Sequence, residues 1–325
     1  MCLHTRVHAL QFKAQNQRRH DNQPAANSKQ AGQYAGYRSQ REIRQKNHAL
    51  LLYQRRYNTR LLSYWDGDFF MCLVFAALGC HPQWPFVALA NRDEFFNRPS
   101  APLMRWPSTP EIIAGRDAQA GGTWLGCTGS RFAVVTNVRR HPQPEGHLSR
   151  GYLVRDALLA PDFNAWLDSL LNTADHYSGF NLLILDASGL HYVTNRPNVI
   201  HRRLENGLYG LSNADLDAPW FKVEQGKSEI QGLLKAGITD EETWWQVMLD
   251  ETRAPADQLP DTGLPKEFEA ALSSRFITLP DYGTRCTTLA RQDAQGAFHL
   301  TEWSYSPGTG LPASRASRRA LSARP

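Results

Sequence analysis

Cys72 heads an apolar run, "MCLVFAAL" over residues 71–78, that has the texture of a chain's beginning although 70 residues precede it. A thiol at a free N-terminus has its own base, the α-amine, whose ordinary pKa of about 7.7–8 suits it to take the thiol proton near neutral pH. Inside a chain the same nitrogen is an amide with no basicity, so the true start decides what Cys72 can do. The second signal is "ANRDEFFNRPS", Ala90–Ser100, which places Asn91, Arg92, Asp93, Glu94 and Arg98 at the end of another apolar run. Between the two runs lies "CHPQW", a turn signal containing Pro. The runs therefore form a hairpin, and the end of the second returns beside the start of the first. A thiol, a guanidinium and two carboxylates then meet at one sheet edge. A plain charged turn, with Glu94 and Arg98 as an ordinary surface pair, fits the same pattern.

Weaker signals stand elsewhere. "AGGTWLG", Ala120–Gly126, pairs glycines suited to a tight turn or close backbone approach at Gly122 with the flat wall of Trp124. Asn137 closes "FAVVTN" and Asn213 closes "GLYGLSN". Amides at strand ends are common turn residues, and two together can donate hydrogen bonds to a developing oxyanion. Arg285, in "DYGTRCT", stands near a strand start, where it can clamp a carboxylate or hold an active-site Asp.

These residues need a frame. Strand-like runs recur at 111–117, 123–128, 131–137, 180–186, 190–195, 207–213, 283–291 and 298–306, and helical periodicity appears at 150–159, 162–172, 218–235, 239–251 and 265–274. Strands come first, helices fall mainly in the middle and strands return, which points to an α+β fold rather than regular βαβ winding. No G-x-G-x-x-G, P-loop or long internal repeat supports a dinucleotide, nucleotide or solenoid reading. No linker divides residues 71–305, so they are expected to form one domain.

The net charge of +5 and pI near 9.0 invite a nucleic-acid reading until the charge is located. Residues 1–70 hold 12 of the 36 Lys and Arg but 4 of the 31 Asp and Glu; the remainder carries a net −3. The first 70 residues have few aliphatics and no periodicity, and are expected to be a disordered basic extension lying upstream of a true start at Met71. Residues 306–325 have the composition of a loose basic tail. Five cysteines without a C-x-x-C pair argue against a disulfide framework or structural zinc. No apolar run is long enough for a membrane span, so a cytoplasmic protein without nucleic-acid partners is expected.

"MCLVFAAL", "VALANRDEFFNRP", "GGTWLG", "GFNLL", "YGLSN", "APW" and "YGTRCTT" occur in this order over residues 71–305. The chain thereby resembles the NRDE family, named for Asn-Arg-Asp-Glu, which includes the animal transport-and-Golgi-organisation protein. In that family Met-Cys opens the chain, which implies a start at Met71. The family is in turn similar to the cysteine N-terminal nucleophile hydrolases, implying a four-layer αββα sandwich with the nucleophile at the start of a central strand. By that resemblance Cys72 matches the nucleophile, Arg92 and Asp93 an Arg/Asp pair, Asn137 and Asn213 two amides, and Arg285 a later Arg. In the hydrolases the Arg and Asp are separated by other residues, whereas here they are adjacent, so Asn91 and Glu94 are the alternative aligned pair. The implied activity is cleavage or transfer of an acyl group, from an amide or thioester, without a required cofactor or metal. The alternative implied by the same relatives is a non-catalytic carrier of haem, lipid or acyl-CoA; for haem the candidate ligands are His81, His141 and His147, each equally a surface histidine.

Overall fold

The computed structural model describes residues 71–139, 146–305 and 317–324; the extension over 1–70 and His141 lie outside the described residues. β1 (Met71–Leu78) and β2 (Phe86–Phe95) form the expected hairpin, in register from Met71 opposite Asp93 to Leu78 opposite Phe86. They join β10 (Gly207–Leu211), β11 (Tyr282–Gln292), β12 (Phe298–Ser304) and β13 (Ser317–Ala323) in a six-stranded antiparallel sheet ordered β10-β1-β2-β11-β12-β13. A seven-stranded antiparallel sheet runs in chain order through β3 (Ser100–Trp106), β4 (Thr109–Asp117), β5 (Leu125–Cys127), β6 (Phe132–Asn137), β7 (Phe180–Asp186), β8 (Gly189–Thr194) and β9 (Ile200–Leu204). Five α-helices accompany them among the described residues: α1 (Gly151–Leu159), α2 (Phe163–Thr173), α3 (Phe221–Ala236), α4 (Glu241–Val247) and α5 (Lys266–Ala271). The class is α+β, as expected.

Alternate side chains of a strand face opposite ways, and here both ways are covered. From β1 and β2, Val74, Ala76, Phe86, Ala88 and Ala90 pack with Phe132, Val134, Leu183 and Leu185 of the other sheet. Their neighbours Leu73, Phe75, Ala77, Val87 and Leu89 pack with Val223, Ile230 and Leu234 of α3 and Trp244 and Trp245 of α4. The seven-stranded sheet turns Ala133, Val135, Leu182 and Ile184 toward Leu153, Val154 and Leu158 of α1 and Leu167 and Leu170 of α2. Strands buried on both faces read as continuous apolar runs, which explains the texture of "MCLVFAAL". Aromatic rings tie the sheets together, with Phe132 lying 5.2 Å from Phe86 and 6.3 Å from Phe298 between ring centroids.

The structure departs from the sequence reading at edges. β3 and β9 were not anticipated, since "IHRRL" of β9 is exposed at four of five positions and carries no apolar alternation. The loose tail expected over 306–325 does not describe Ser317–Ala323, which pair along β12 as an edge strand. Backbone hydrogen bonds need no apolar side chains, and Arg318 adds an ion pair to Glu241 at 2.5 Å. The helix expected over 239–251 stops at Val247, and that over 265–274 spans only Lys266–Ala271.

Phe132 is fully buried between the sheets. Phe132→Ala is expected to cost about 3–5 kcal/mol, measured as a lower urea midpoint with an unchanged slope.

Candidate functional site

The hairpin register sets Cys72 beside Arg92, and β11 sets Cys286 on the other side of Arg92, so the three lie in one row across the sheet. At this end β1, β2, β6, the loop around Thr123 and the start of α1 enclose a cleft of ≈ 520 Å³. Cys72 lines it, 9% exposed. Its carbonyl accepts a hydrogen bond from Ser212 Oγ at 3.1 Å. Burial, and then the charge of Asp93, push its thiol up to about 12, against a smaller opposing effect of Arg92.

Strand alternation divides the Asn-Arg-Asp-Glu motif in two. Arg92 and Glu94 take the parity of Ala88 and Ala90, which face the other sheet. Arg92 Nη2 approaches Glu94 Oε2 at 3.4 Å, and its guanidinium lies 4.2 Å over the ring of Trp124. Glu94 Oε1 accepts from the Phe95 N–H at 2.7 Å, while Arg98 Nε lies 3.5 Å from its other oxygen. Burial pushes the Glu94 carboxyl up to about 7 despite Arg92. Arg98 also pairs with Asp117 at 2.8 Å across the cleft wall.

Asn91 and Asp93 take the other parity. Asn91 Nδ2 donates to the carbonyls of Met248 at 3.0 Å and Arg275 at 2.8 Å, and its Oδ1 accepts from Thr287 Oγ1 at 2.6 Å. It is a buried clamp on two loops and does not line the cleft. Asp93 does line it. Thr284 Oγ1 donates to Asp93 Oδ1 at 2.6 Å, whereas Oδ2 is buried without a partner. Burial raises the Asp93 carboxyl to about 6, opposed chiefly by the charge of Lys222.

The two amides play unequal parts. Asn137 lines the cleft, 6% exposed, with Nδ2 buried and unpartnered. Asn213 is fully buried and outside the lining; its Nδ2 donates to the Asn137 carbonyl at 2.9 Å and its Oδ1 accepts from Ser212 Oγ at 3.1 Å. Arg285 is also outside the lining: Nη1 donates to the carbonyls of Phe95 at 2.7 Å and Arg98 at 3.1 Å, fixing the turn that follows β2. Gly122 packs its loop on α1, since a Cβ there would lie 2.5 Å from the Gly151 carbonyl carbon. Trp124 is a cleft wall.

Sequence reasoning missed Lys222, Ser212 and Thr284. The signal for Lys222 was a lysine on the apolar stripe of a helix; the two hydroxyls left no signal. Of the histidines, His81 has Nδ1 engaged by the Gln83 and Trp84 N–H groups and Nε2 at 3.2 Å from the Ile238 carbonyl, and His147 stands at the cleft. Among the described residues no group of His, Cys, Asp or Glu is arranged to hold a metal ion. The arrangement joins a thiol to an unpartnered carboxylate oxygen and an unpartnered amide N–H, the parts for orienting a base and holding an oxyanion.

Because the folded-state value of Glu94 lies above its ordinary 4.5, the stability it contributes is full below that value and lost as pH rises through about 7. Glu94→Gln cannot ionise. Relative to the parent protein it is expected to gain about 2–3 kcal/mol between pH 5 and pH 8 in urea unfolding; parallel pH profiles would contradict a buried, raised carboxyl.

The sequence model of the family described as Transport and Golgi organisation 2 matches residues 71–307. The chain is 30% identical over 254 residues to the Transport and Golgi organization 2 homolog of Mus musculus, covering 71% of this chain and 92% of the mouse protein. It is 31% identical to the Homo sapiens homolog over the same shares. Against the Drosophila melanogaster Transport and Golgi organization protein 2, the figures are 25% over 258 residues, 71% and 91%. With the cleft and its Asn-Arg-Asp-Glu strand inside the matched region, this chain belongs to the Transport and Golgi organisation 2 family, the NRDE family.

Proposed function

We propose that Cys72 is the nucleophile of an acyl-transfer or acyl-hydrolysis site that becomes competent when Cys72 leads the chain. The observation that carries this reading is the meeting at one cleft of Cys72, the unpartnered Asp93 Oδ2 and the unpartnered Asn137 Nδ2. Buried polar atoms normally find partners, so two such atoms beside a thiol favour groups held ready for a ligand or for a new terminus. The three apolar cores support a four-layer αββα stacking of the N-terminal nucleophile kind, with Cys72 opening a strand flanked by β10 and β2.

Within the chain, a thiol pushed up to about 12 stays protonated at neutral pH. Removal of Met71, which a small following residue permits, converts the Cys72 nitrogen from an amide to an amine of suitable strength. Asp93 Oδ2 then accepts a hydrogen bond from that amine, which takes the Sγ proton. The thiolate attacks an amide or thioester carbonyl carbon, Asn137 Nδ2 donates to the oxyanion, and the leaving nitrogen or sulfur departs with the proton. The acyl group remains on Cys72 as a thioester until water or a second acceptor takes it. The reading is of a cytoplasmic enzyme with a small acyl substrate and no required cofactor. The relatives' names speak of transport and Golgi organisation, a cellular role beneath which such a step fits.

A pure carrier of haem, lipid or acyl-CoA draws less support, because Arg92, Asp93, Glu94, Arg98 and Asp117 line the cleft where an apolar slot is wanted; of the described haem-ligand candidates, His81 has both ring nitrogens engaged and His147 stands at that charged cleft. No helix among the described residues is long and apolar enough to cross a membrane.

Expression from Met71 tests the reading. The intact mass is expected to lack Met71, and Cys72 to react with a β-lactone or iodoacetamide faster than Cys80, Cys127 and Cys286. Equal labelling of the four, or a Soret band or co-purified lipid undisturbed by Cys72→Ala, would favour the carrier.

A further inference from the structure

Helix α3 buries Lys222, Gly226, Ile230 and Leu234, four residues apart and therefore on one face. The first is a lysine, 2% exposed, where the pattern calls for an apolar side chain. The face rests on β1: a Cβ on Gly226 would come within 2.2 Å of the Phe75 ring, and one on Gly237, past the helix end, within 3.3 Å of Pro82 in the hairpin turn. The helix thus runs along β1 with its first turn at the Cys72 end. Lys222 stands one turn ahead of Gly226 toward the Cys72 end of β1, and the residue that anchors it, Leu272, packs with Ile277, whose N–H donates to the same Thr284 Oγ1 that donates to Asp93. Its Nζ donates to the Leu272 carbonyl at 3.0 Å, using one of three N–H donors.

A buried ammonium needs a counter-charge. Asp93 is 1% exposed with one carboxylate oxygen unpartnered. The charge of Lys222 is the largest acting on Asp93, ahead of Arg92, and that of Asp93 is the largest acting on Lys222, ahead of Arg139, Cys72 and Glu269. Arg139 is itself paired with Glu269 at 2.6 Å and stacked 4.7 Å over Trp220.

We infer that Lys222 is a positioning residue of the Cys72 site, the counter-ion that holds Asp93 as a carboxylate at neutral pH. Its purpose rests on the acyl-transfer reading: only an ionised Asp93 accepts a hydrogen bond on both oxygens, and with Lys222 offsetting its field it does not lock the leading amine as an ammonium. Burial pushes Asp93 up and Lys222 down, and the charge of each opposes the shift of the other. Without the lysine charge, burial keeps Asp93 protonated through neutral pH.

The test is infrared titration of the protonated carboxyl C=O band in the full chain, with Asp93→Asn assigning the band and near-ultraviolet circular dichroism identifying folded variants. In the parent protein the band is expected to vanish around pH 6. Lys222→Gln keeps an N–H for the Leu272 carbonyl but no charge, and Lys222→Met supplies a second neutral variant. Either should raise the midpoint by about two pH units, whereas Lys222→Arg should stay within about half a unit of the parent. An unmoved midpoint in a folded neutral variant overturns the inference. Labelling of Cys72 in the chain begun at Met71 reports separately: inert Cys72 with a shifted Asp93 removes the acyl-transfer reading and keeps the counter-ion, and reactive Cys72 with an unshifted Asp93 does the reverse.

Discussion

Four consecutive polar side chains in a strand covered on both faces set the terms for this end of the molecule. Asn91, Arg92, Asp93 and Glu94 are all at least 95% buried, and each must find partners without water. Alternation sends Arg92 and Glu94 toward Trp124, where an ion pair and a ring face receive the guanidinium. It sends Asn91 and Asp93 the other way, where Thr287, Thr284 and two loop carbonyls wait. Neighbouring elements are placed by what this strand requires.

Not every demand is met, and three of the unmet ones lie together. Arg92 Nη1, Asp93 Oδ2 and Asn137 Nδ2 are buried without partners, and all three residues line the cleft with Cys72. In a medium of low effective dielectric such atoms carry unspent interaction energy. The surrounding second layer is, by contrast, well bonded: Asn213 secures Asn137, Arg285 secures the turn after β2, and Asn91 secures the loops behind.

The sequence exposed the hairpin, the α+β class and the central strands because doubly buried strands are apolar throughout. The hairpin brought Cys72, Arg92, Asp93 and Glu94 to one edge, and these line the cleft together with Trp124 and with Asn137, which the resemblance supplied. The sequence could not separate Asn137 from Asn213, since both are Asn at strand ends and only the packing of β1 between β2 and β10 decides which amide reaches the opening. Asn91 groups with the cleft in sequence because a motif is contiguous while its side chains diverge, and Arg285 does so through the resemblance alone. β9 and β13 were invisible because edge strands hold by backbone pairing, and their exposed Arg-rich faces have the composition of loops. Lys222 broke the periodicity of its own helix, a mismatch that marks a buried charge and hence a partner.

β13 closes the open side of β12 along its whole length, and Glu241 of α4 binds both Arg291 of β11 and Arg318 of β13. A protein shortened before Ser317 would leave β12 with a bare row of N–H and C=O groups and Glu241 without its Arg318 partner. Such a rim recruits strands from other molecules, so shortened forms invite self-association.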